Sequence, residues 1–262
     1  MVTKHSFVRL ALVGAFAVAL AACASGGGSS GGSSAKWKSG ELATAIANPG
    51  RPQADKDRDA DRKPAELLTF FGVERGMTAL DVIASAGYLT ETISVAVGPT
   101  GKVYMQNPAS MFRNPTSQGV KNVEARVAAG RLPNVVRVDA DLPSSTVPAG
   151  SVDFAITAMN LHDVYNRSAA DAETFAKNVY DTLKPGGVFG VIDHIGSAGA
   201  DNAKLHRMQK QQAIDVLTKV GFKLEAESAV LAHAADDHTK GPFDPSLRGK
   251  TDQFVLKMRK PK

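Results

Sequence analysis

The chain has 262 residues, with 31 Lys and Arg set against 26 Asp and Glu, and one cysteine. A single cysteine excludes an intrachain disulfide framework, and a formal charge of only +5, with its basic residues scattered among acids, does not argue for nucleic-acid binding. The length suits one α/β domain with additions at its ends, and no internal repeat is present.

Lys4 and Arg9 lead into an apolar run over residues 10–20, too short to span a membrane (about 20 residues) and suited to a secretory signal. Leu20-Ala-Ala-Cys23 follows, and then a Gly/Ser-rich tract to Ser34. This stretch resembles the lipobox of bacterial lipoproteins; the alternative is an ordinary secretory signal in which Cys23 is incidental. The resemblance implies cleavage before Cys23, acylation of that residue and anchoring to a membrane. With Ala24 rather than Asp after the cysteine, it also implies the cell envelope, at the periplasmic face of the outer membrane. The expected division is a signal at 1–22, a lipidated tether at 23–40 and a folded domain at 41–262. Loss of Lys4 and Arg9 takes the charge from +5 to +3, so no nucleic-acid partner is expected. Trp37, the only tryptophan, is read as packing at the domain's entry, or else as a contact to lipid headgroups.

Residues 55–71 have helical spacing, with Pro64 at a helix start or break, and their mixed charges suit a solvated face. Residues 77–107 then read strand, small-residue turn, helix, strand, a βαβ unit shaped for a nucleotide-like ligand. Small side chains at Ala84, Ser85, Ala86 and Gly87 allow close backbone approach beside the helix N-terminus, although alanines at 84 and 86 are read as replacing glycines usual in such loops. Residues 134–138, 151–159 and 187–193 read as strands, separated by a helix at 168–183 that Lys184-Pro-Gly-Gly187 ends. A helix at 201–220 is stopped by Gly221. Residues 222–230 and 253–258 then form two strands around a loop rich in His, Asp, Gly and Pro. Alternating strands and helices indicate a mostly parallel sheet covered on both faces, closed by an antiparallel hairpin.

Asp81 with its turn, Asp139-Ala-Asp141, Asp153 and Leu183-Lys-Pro-Gly-Gly187 occur in an order that resembles class I S-adenosylmethionine-dependent methyltransferases, from Arg51 to the C-terminus. Arg51-Pro52, Arg58-Asp59, Arg62-Lys-Pro64, Asn160-Leu-His-Asp163, Asp193-His194, His206-Arg207 and Leu247-Arg-Gly-Lys-Thr-Asp252 resemble a narrower bacterial group of predicted methyltransferases. The resemblance implies a Rossmann-like α/β fold, a mostly parallel seven-stranded sheet with a C-terminal antiparallel hairpin, helices on both faces, and S-adenosylmethionine as cofactor. It assigns Asp81 and Ala84, Ser85, Ala86 and Gly87 to the methionine part, Asp139 and Ala140 to the adenine with Asp141 as alternative, and Asn160 to a further cofactor contact. At the end of the second strand, where the family has an acid that accepts both ribose hydroxyls, this chain has Gln106 and then Asn107. An amide offers one acceptor and two donors, so a weaker ribose contact is expected. Glycine at 84 and 86 with an acid at 106 is expected to strengthen cofactor binding.

Methyl transfer from a sulfonium asks mainly for alignment, because the leaving group is already good. His162, past the fourth strand, is read as a general base or orienting group with Asp163 fixing its tautomer, or else as a histidine satisfied by backbone bonds. His194 is a second catalytic candidate, and Tyr165, His206, Arg207 and Arg248 are candidate substrate contacts, with His206 and Arg207 placed on a helix. His233-Ala-Ala-Asp-Asp-His238 matches no closed zinc pattern, and no metal is expected. The leading reading is a methyltransferase acting on an unknown small molecule or envelope component. The alternative is a catalytically degenerate relative acting as a binding or scaffold protein, since the cofactor loop is altered and an exported chain meets no cytosolic cofactor. A nicotinamide-dependent oxidoreductase fits less well, because the glycine-rich fingerprint is absent. The sequence does not indicate an oligomeric state.

Overall fold

The computed structural model describes residues 35–262. The signal, Cys23 and most of the tether therefore lie outside the described residues. No helix among the described residues is long and apolar enough to cross a membrane. The folded region begins ahead of the expected boundary at residue 41. Ala35 bridges to Arg75, Trp37 donates its indole N–H to the Ala96 carbonyl at 3.0 Å, and the Arg75 guanidinium lies 3.5 Å from the Trp37 ring centroid. Trp37 is thus a packing residue.

Seven strands form one sheet in the order β3-β2-β1-β4-β5-β7-β6. They are β1 (Thr78–Val82), β2 (Lys102–Asn107), β3 (Val135–Asp139), β4 (Val152–Ala158), β5 (Leu183–His194), β6 (Lys223–Ser228) and β7 (Gln253–Arg259). The first five run parallel, while β7 is antiparallel to both β5 and β6, as the hairpin reading anticipated. The chain order reverses beside β1, between β2 and β4, and the carboxyl ends of these strands open a crevice there.

Strand periodicity divides the core. Leu80 and Val82 face a cluster with Leu161, Val191 and Leu217, whereas Ala79, the residue before Leu80, faces Phe71, Ile93 and Phe154 on the other side. Each of these side chains is essentially buried, and burying a Leu or Phe stabilises the fold by about 1.5–3 kcal/mol.

Two expected helices differ from the structure. Residues 55–71 are covered by three short helices, α2 (Gln53–Lys56), α3 (Asp59–Arg62) and α4 (Pro64–Phe71), after α1 (Glu41–Ile46). The break falls where Lys63 takes a left-handed backbone (φ 43°) and Pro64, with no N–H to donate, opens α4. Beyond α5 (Tyr88–Val97), α6 (Gln118–Val127), α7 (Leu161–Arg167) and α8 (Ala169–Thr182), the last helix α9 spans only Lys210–Val220. Gln209 and Gln212 form a capping box that fixes its start, so His206 and Arg207 lie in the preceding loop and not on a helix. Lys184-Pro-Gly-Gly187 is likewise inside β5, where a register shift between Val152 and Phe154 absorbs the extra residues.

Candidate active site

The loop from β1 to α5 forms the first wall of the crevice. Its left-handed residues are Ile83 (φ 55°), Ser85 (φ 50°) and Gly87 (φ 76°), whereas Ala84 and Ala86 have ordinary backbone. The positions that call for glycine are therefore 83, 85 and 87, and the expectation that Ala84 and Ala86 replace glycines is corrected. Gly87 is retained for a second reason: a Cβ there would sit 2.7 Å from Met105 Cε. A β-branched residue at φ 55° is strained by roughly 1–3 kcal/mol and persists only if its surroundings hold it.

Gln106 and Asn107 do the holding. Ile83 N–H donates to Gln106 Oε1 at 3.0 Å while Gln106 Nε2 donates to the Ala140 carbonyl at 2.8 Å. Ser85 N–H donates to Asn107 Oδ1 at 2.7 Å, and Asn107 Nδ2 donates back to the Ser85 carbonyl at 3.0 Å. Arg126 Nε adds a bond to the Ala86 carbonyl at 2.8 Å. Both amides are buried and committed to backbone. Each needs the donor as well as the acceptor, which explains physically why an amide and not an acid stands at 106.

Two cavities, about 420 and 590 Å³, follow the carboxyl edge and share Ile83, Asn160 and Asp163. The first is lined by the Ala84-Ser85-Ala86 turn, Asp81, His162 and His194, and the second by Gln106, Asp141 and Leu142. Asp81 is buried beneath the first, accepts a 2.6 Å bond from Thr90 Oγ1, and is pushed up to about 7 by burial, which outweighs the Thr90 bonds. Asn160 donates locally to the Ala158 carbonyl at 2.9 Å and reaches across to the Ile83 carbonyl of the β1–α5 loop at 3.4 Å. Asp139 instead pairs with Arg137 at 2.6 Å and is not among the lining side chains, whereas Asp141 is. Ala140 contributes its carbonyl to Gln106.

His162 is buried at the start of α7. Its Nδ1 lies 2.6 Å from Asp193 Oδ1, and its backbone N–H donates to Asp193 Oδ2 at 2.8 Å. Asp193, not Asp163, thus fixes the ring; Asp163 Oδ1 lies on the other nitrogen, Nε2, at 3.2 Å. Burial works to lower the His162 pKa, but the hydrogen bond and charge of Asp193, together with Asp163, leave it raised. His194 is different: burial lowers it to about 4, so it is neutral, with Nδ1 2.8 Å from Thr251 Oγ1. His206 reaches Asp163 with Nδ1 at 3.0 Å, and Arg248 lines the first cavity.

Two candidate substrate residues lie elsewhere. Tyr165 packs against the core cluster of the α7–α8 side. Arg207 is fully buried and donates to both Asp236 oxygens at 2.9 and 2.8 Å and to the Lys240 and Ile195 carbonyls, so it secures the loop before β7. The sequence reading gave no role to Asp193, Arg58, Arg62 or Phe243, all beside or within the site. Arg58 and Arg62 place their guanidinium carbons 4.7 and 5.0 Å from the Tyr88 ring centroid. Arg58 pairs with Asp55, but Arg62 has no carboxylate partner among the described residues. Burial and the Arg58 charge lower the Arg62 pKa. The Arg-rich sequence could have marked these cations, but only the fold turns them toward the crevice.

No protein-family model matches the chain. Over 186 residues it is 29% identical to the ubiquinone/menaquinone biosynthesis C-methyltransferase UbiE of Escherichia coli K12 / DH10B, covering 71% of this chain and 65% of that protein. The chain thus matches just under two thirds of the length of such curated relatives. A solved S-adenosylmethionine-dependent methyltransferase from Aquifex aeolicus superposes with a TM-score of 0.57 at 19% identity, over 80% of this chain and 98% of that one. The 4+2 cyclase SpnF does so with a TM-score of 0.56 at 20% identity, over 84% and 91%. One architecture therefore accompanies different reactions. With its strand order, antiparallel closing hairpin and these structural neighbours, the chain has the Rossmann-like fold of the class I methyltransferases.

Proposed function

We propose that the chain is an S-adenosylmethionine-dependent methyltransferase that binds its cofactor along the two joined cavities and its acceptor beside His162. The observation that carries this reading is the crevice at the carboxyl edge of β1 and β4, with Asp81 buried beneath it and no cationic partner for that carboxylate among the described residues. An ammonium group such as that of the cofactor's methionine part is the charge such a carboxylate lacks. Asp141 and the backbone near Leu142 suit the adenine end. The ribose receives no side-chain carboxylate from β2, because Gln106 is committed elsewhere.

When bound, the cofactor supplies an electrophilic methyl group on a sulfonium. The chain's own residues then align the acceptor: Asp193 orients His162, and Arg58, Arg62 and Arg248 give the first cavity a cationic rim suited to an acceptor with a carboxylate or phosphate group. The acceptor class is a small molecule or envelope component, and the likeness to a quinone-biosynthesis C-methyltransferase fits a small-molecule acceptor. Membrane attachment through acylated Cys23, at the periplasmic face of the outer membrane, belongs to the same proposal. Cys23→Ser is expected to move the chain from the membrane fraction to the soluble one, and an unchanged distribution counts against the anchor.

The second reading, a binding or scaffold protein, is favoured by the Gln106–Asn107 clasp that occupies the usual ribose position. Calorimetric titration of the full chain with S-adenosylmethionine and its demethylated product separates the two. Micromolar binding, about −8 kcal/mol, supports the enzyme, and no binding by a folded chain supports the scaffold. His162→Ala is expected to lower turnover more than cofactor affinity; equal losses would remove it from the chemistry.

A further inference from the structure

We propose that His162, Asp163 and His206 hold a divalent transition-metal ion at the edge of the first cavity. One donor atom from each lies within 4.8 Å of the others. Asp163 Oδ1 is central, 3.2 Å from His162 Nε2 and 3.0 Å from His206 Nδ1. An ion about 2.1 Å from each donor, the usual metal–imidazole and metal–carboxylate distance, would see these two pairs at roughly 100° and 90°. Two imidazoles and one carboxylate with positions left open form a recurring ligand set for such ions.

The orientation of His162 argues in the same direction. Asp193 receives the ring N–H at Nδ1, at 2.6 Å, so a neutral ring turns a bare lone pair at Nε2 toward a carboxylate oxygen 3.2 Å away. The space between these two atoms is filled either by a proton on Nε2, in an ordinary hydrogen bond, or by a metal ion, and the titration below separates the two. A carboxylate behind a histidine ring is also how metal-ligating imidazoles are commonly held. His206 is placed by a strained backbone (φ 50°), next to Arg207, which is anchored on Asp236, and its ring meets the edge of Phe243 at a centroid distance of 5.0 Å. His162, Asp163 and Phe243 line the first cavity, so an open coordination position there would suit a hydroxyl or carboxylate oxygen of an acceptor. The loop with His233 and His238 is not this site. His233 donates its backbone N–H to Asp252, and the His238 ring pairs with Asp252 at 3.1 Å.

The full chain, stripped with chelator, is titrated with Co²⁺ and Zn²⁺ in the absence of cofactor, by calorimetry and by the visible absorption of bound Co²⁺. One equivalent is expected to bind with ligand-field bands, and His206→Ala and Asp163→Asn, at a half-buried and an exposed position, are each expected to weaken affinity at least tenfold. His233→Ala leaves it unchanged. No binding by a chain that keeps its circular-dichroism spectrum, or equal affinity in wild type, His206→Ala and Asp163→Asn, would overturn the site and leave a hydrogen-bonded cluster. The readout needs no cofactor, so its failure leaves the methyl-transfer reading untouched, and loss of that reading leaves this one standing.

Discussion

Asp81 is the residue at which burial most changes the chemistry. Its pKa rises from 3.8 to about 7, so the folded chain retains a proton that the unfolded chain releases above pH 4. Stability from this group is therefore full below about pH 4 and is lost as pH rises through 7, a difference on the order of 4 kcal/mol. Asp81→Asn is expected to flatten that dependence in urea unfolding measured at pH 4.5 and 8; equal slopes in wild type and variant would show that Asp81 titrates normally. If an ammonium binds beside it, cofactor binding at pH 7 releases a fraction of a proton, detectable as a buffer-dependent calorimetric enthalpy. At Gln106, replacement by an acid sets a carboxylate against the Ala140 carbonyl, now 2.8 Å from an N–H donor, so Gln106→Glu is expected to destabilise the loop by about 1–3 kcal/mol. Glycine at Ala84 or Ala86 is expected to cost about 0.4–1 kcal/mol through unfolded-chain entropy, because neither backbone is left-handed. An affinity gain from these changes would revive the reading of a weakened ancestral loop.

At the scale of elements, the segment between β6 and β7 depends on one buried ion pair. Arg207 and Asp236 are both fully buried at the side chain, and removing either leaves the other charge without its partner. Arg207→Ala is expected to cost about 3–5 kcal/mol and to raise amide exchange across residues 232–251, which carry Phe243 and Arg248 into the site. Exchange that stays unchanged there would deny the ion pair this latching role. The same residues show the limits of sequence reading. His206-Arg207 fits a helical pattern, but the Gln209 capping box starts α9 later, and the pair separates into one ring facing Asp163 and one guanidinium in the interior. Tyr165 and Arg207 look equally suited to substrate; burial and packing decide otherwise.

For the whole molecule, the two core clusters share the strands of one sheet, so residues 35–262 are expected to unfold in a single transition. Phe154→Ala on one face and Leu217→Ala on the other should each lower that transition, by about 3–5 and 2–5 kcal/mol. Two separate transitions would mean that the faces fold independently. The β1–α5–β2 unit, the strand at 152–158 and the closing hairpin were legible because apolar periodicity is local: alternation of 2 or 3.6 residues records which side of an element meets the core. By itself, the sequence thus determined the elements, their α/β class and the crevice-edge position of the small-residue turn and Asn160-Leu-His-Asp163. Only the tertiary structure decided that Asp193 backs His162 across 31 positions, that Gln106 and Asn107 clasp the turn across 22 or more, and that Asp163 joins His206 across 43. Such partners are set by strand register and loop docking, which bring distant residues within a few ångströms and leave no periodic trace in the chain.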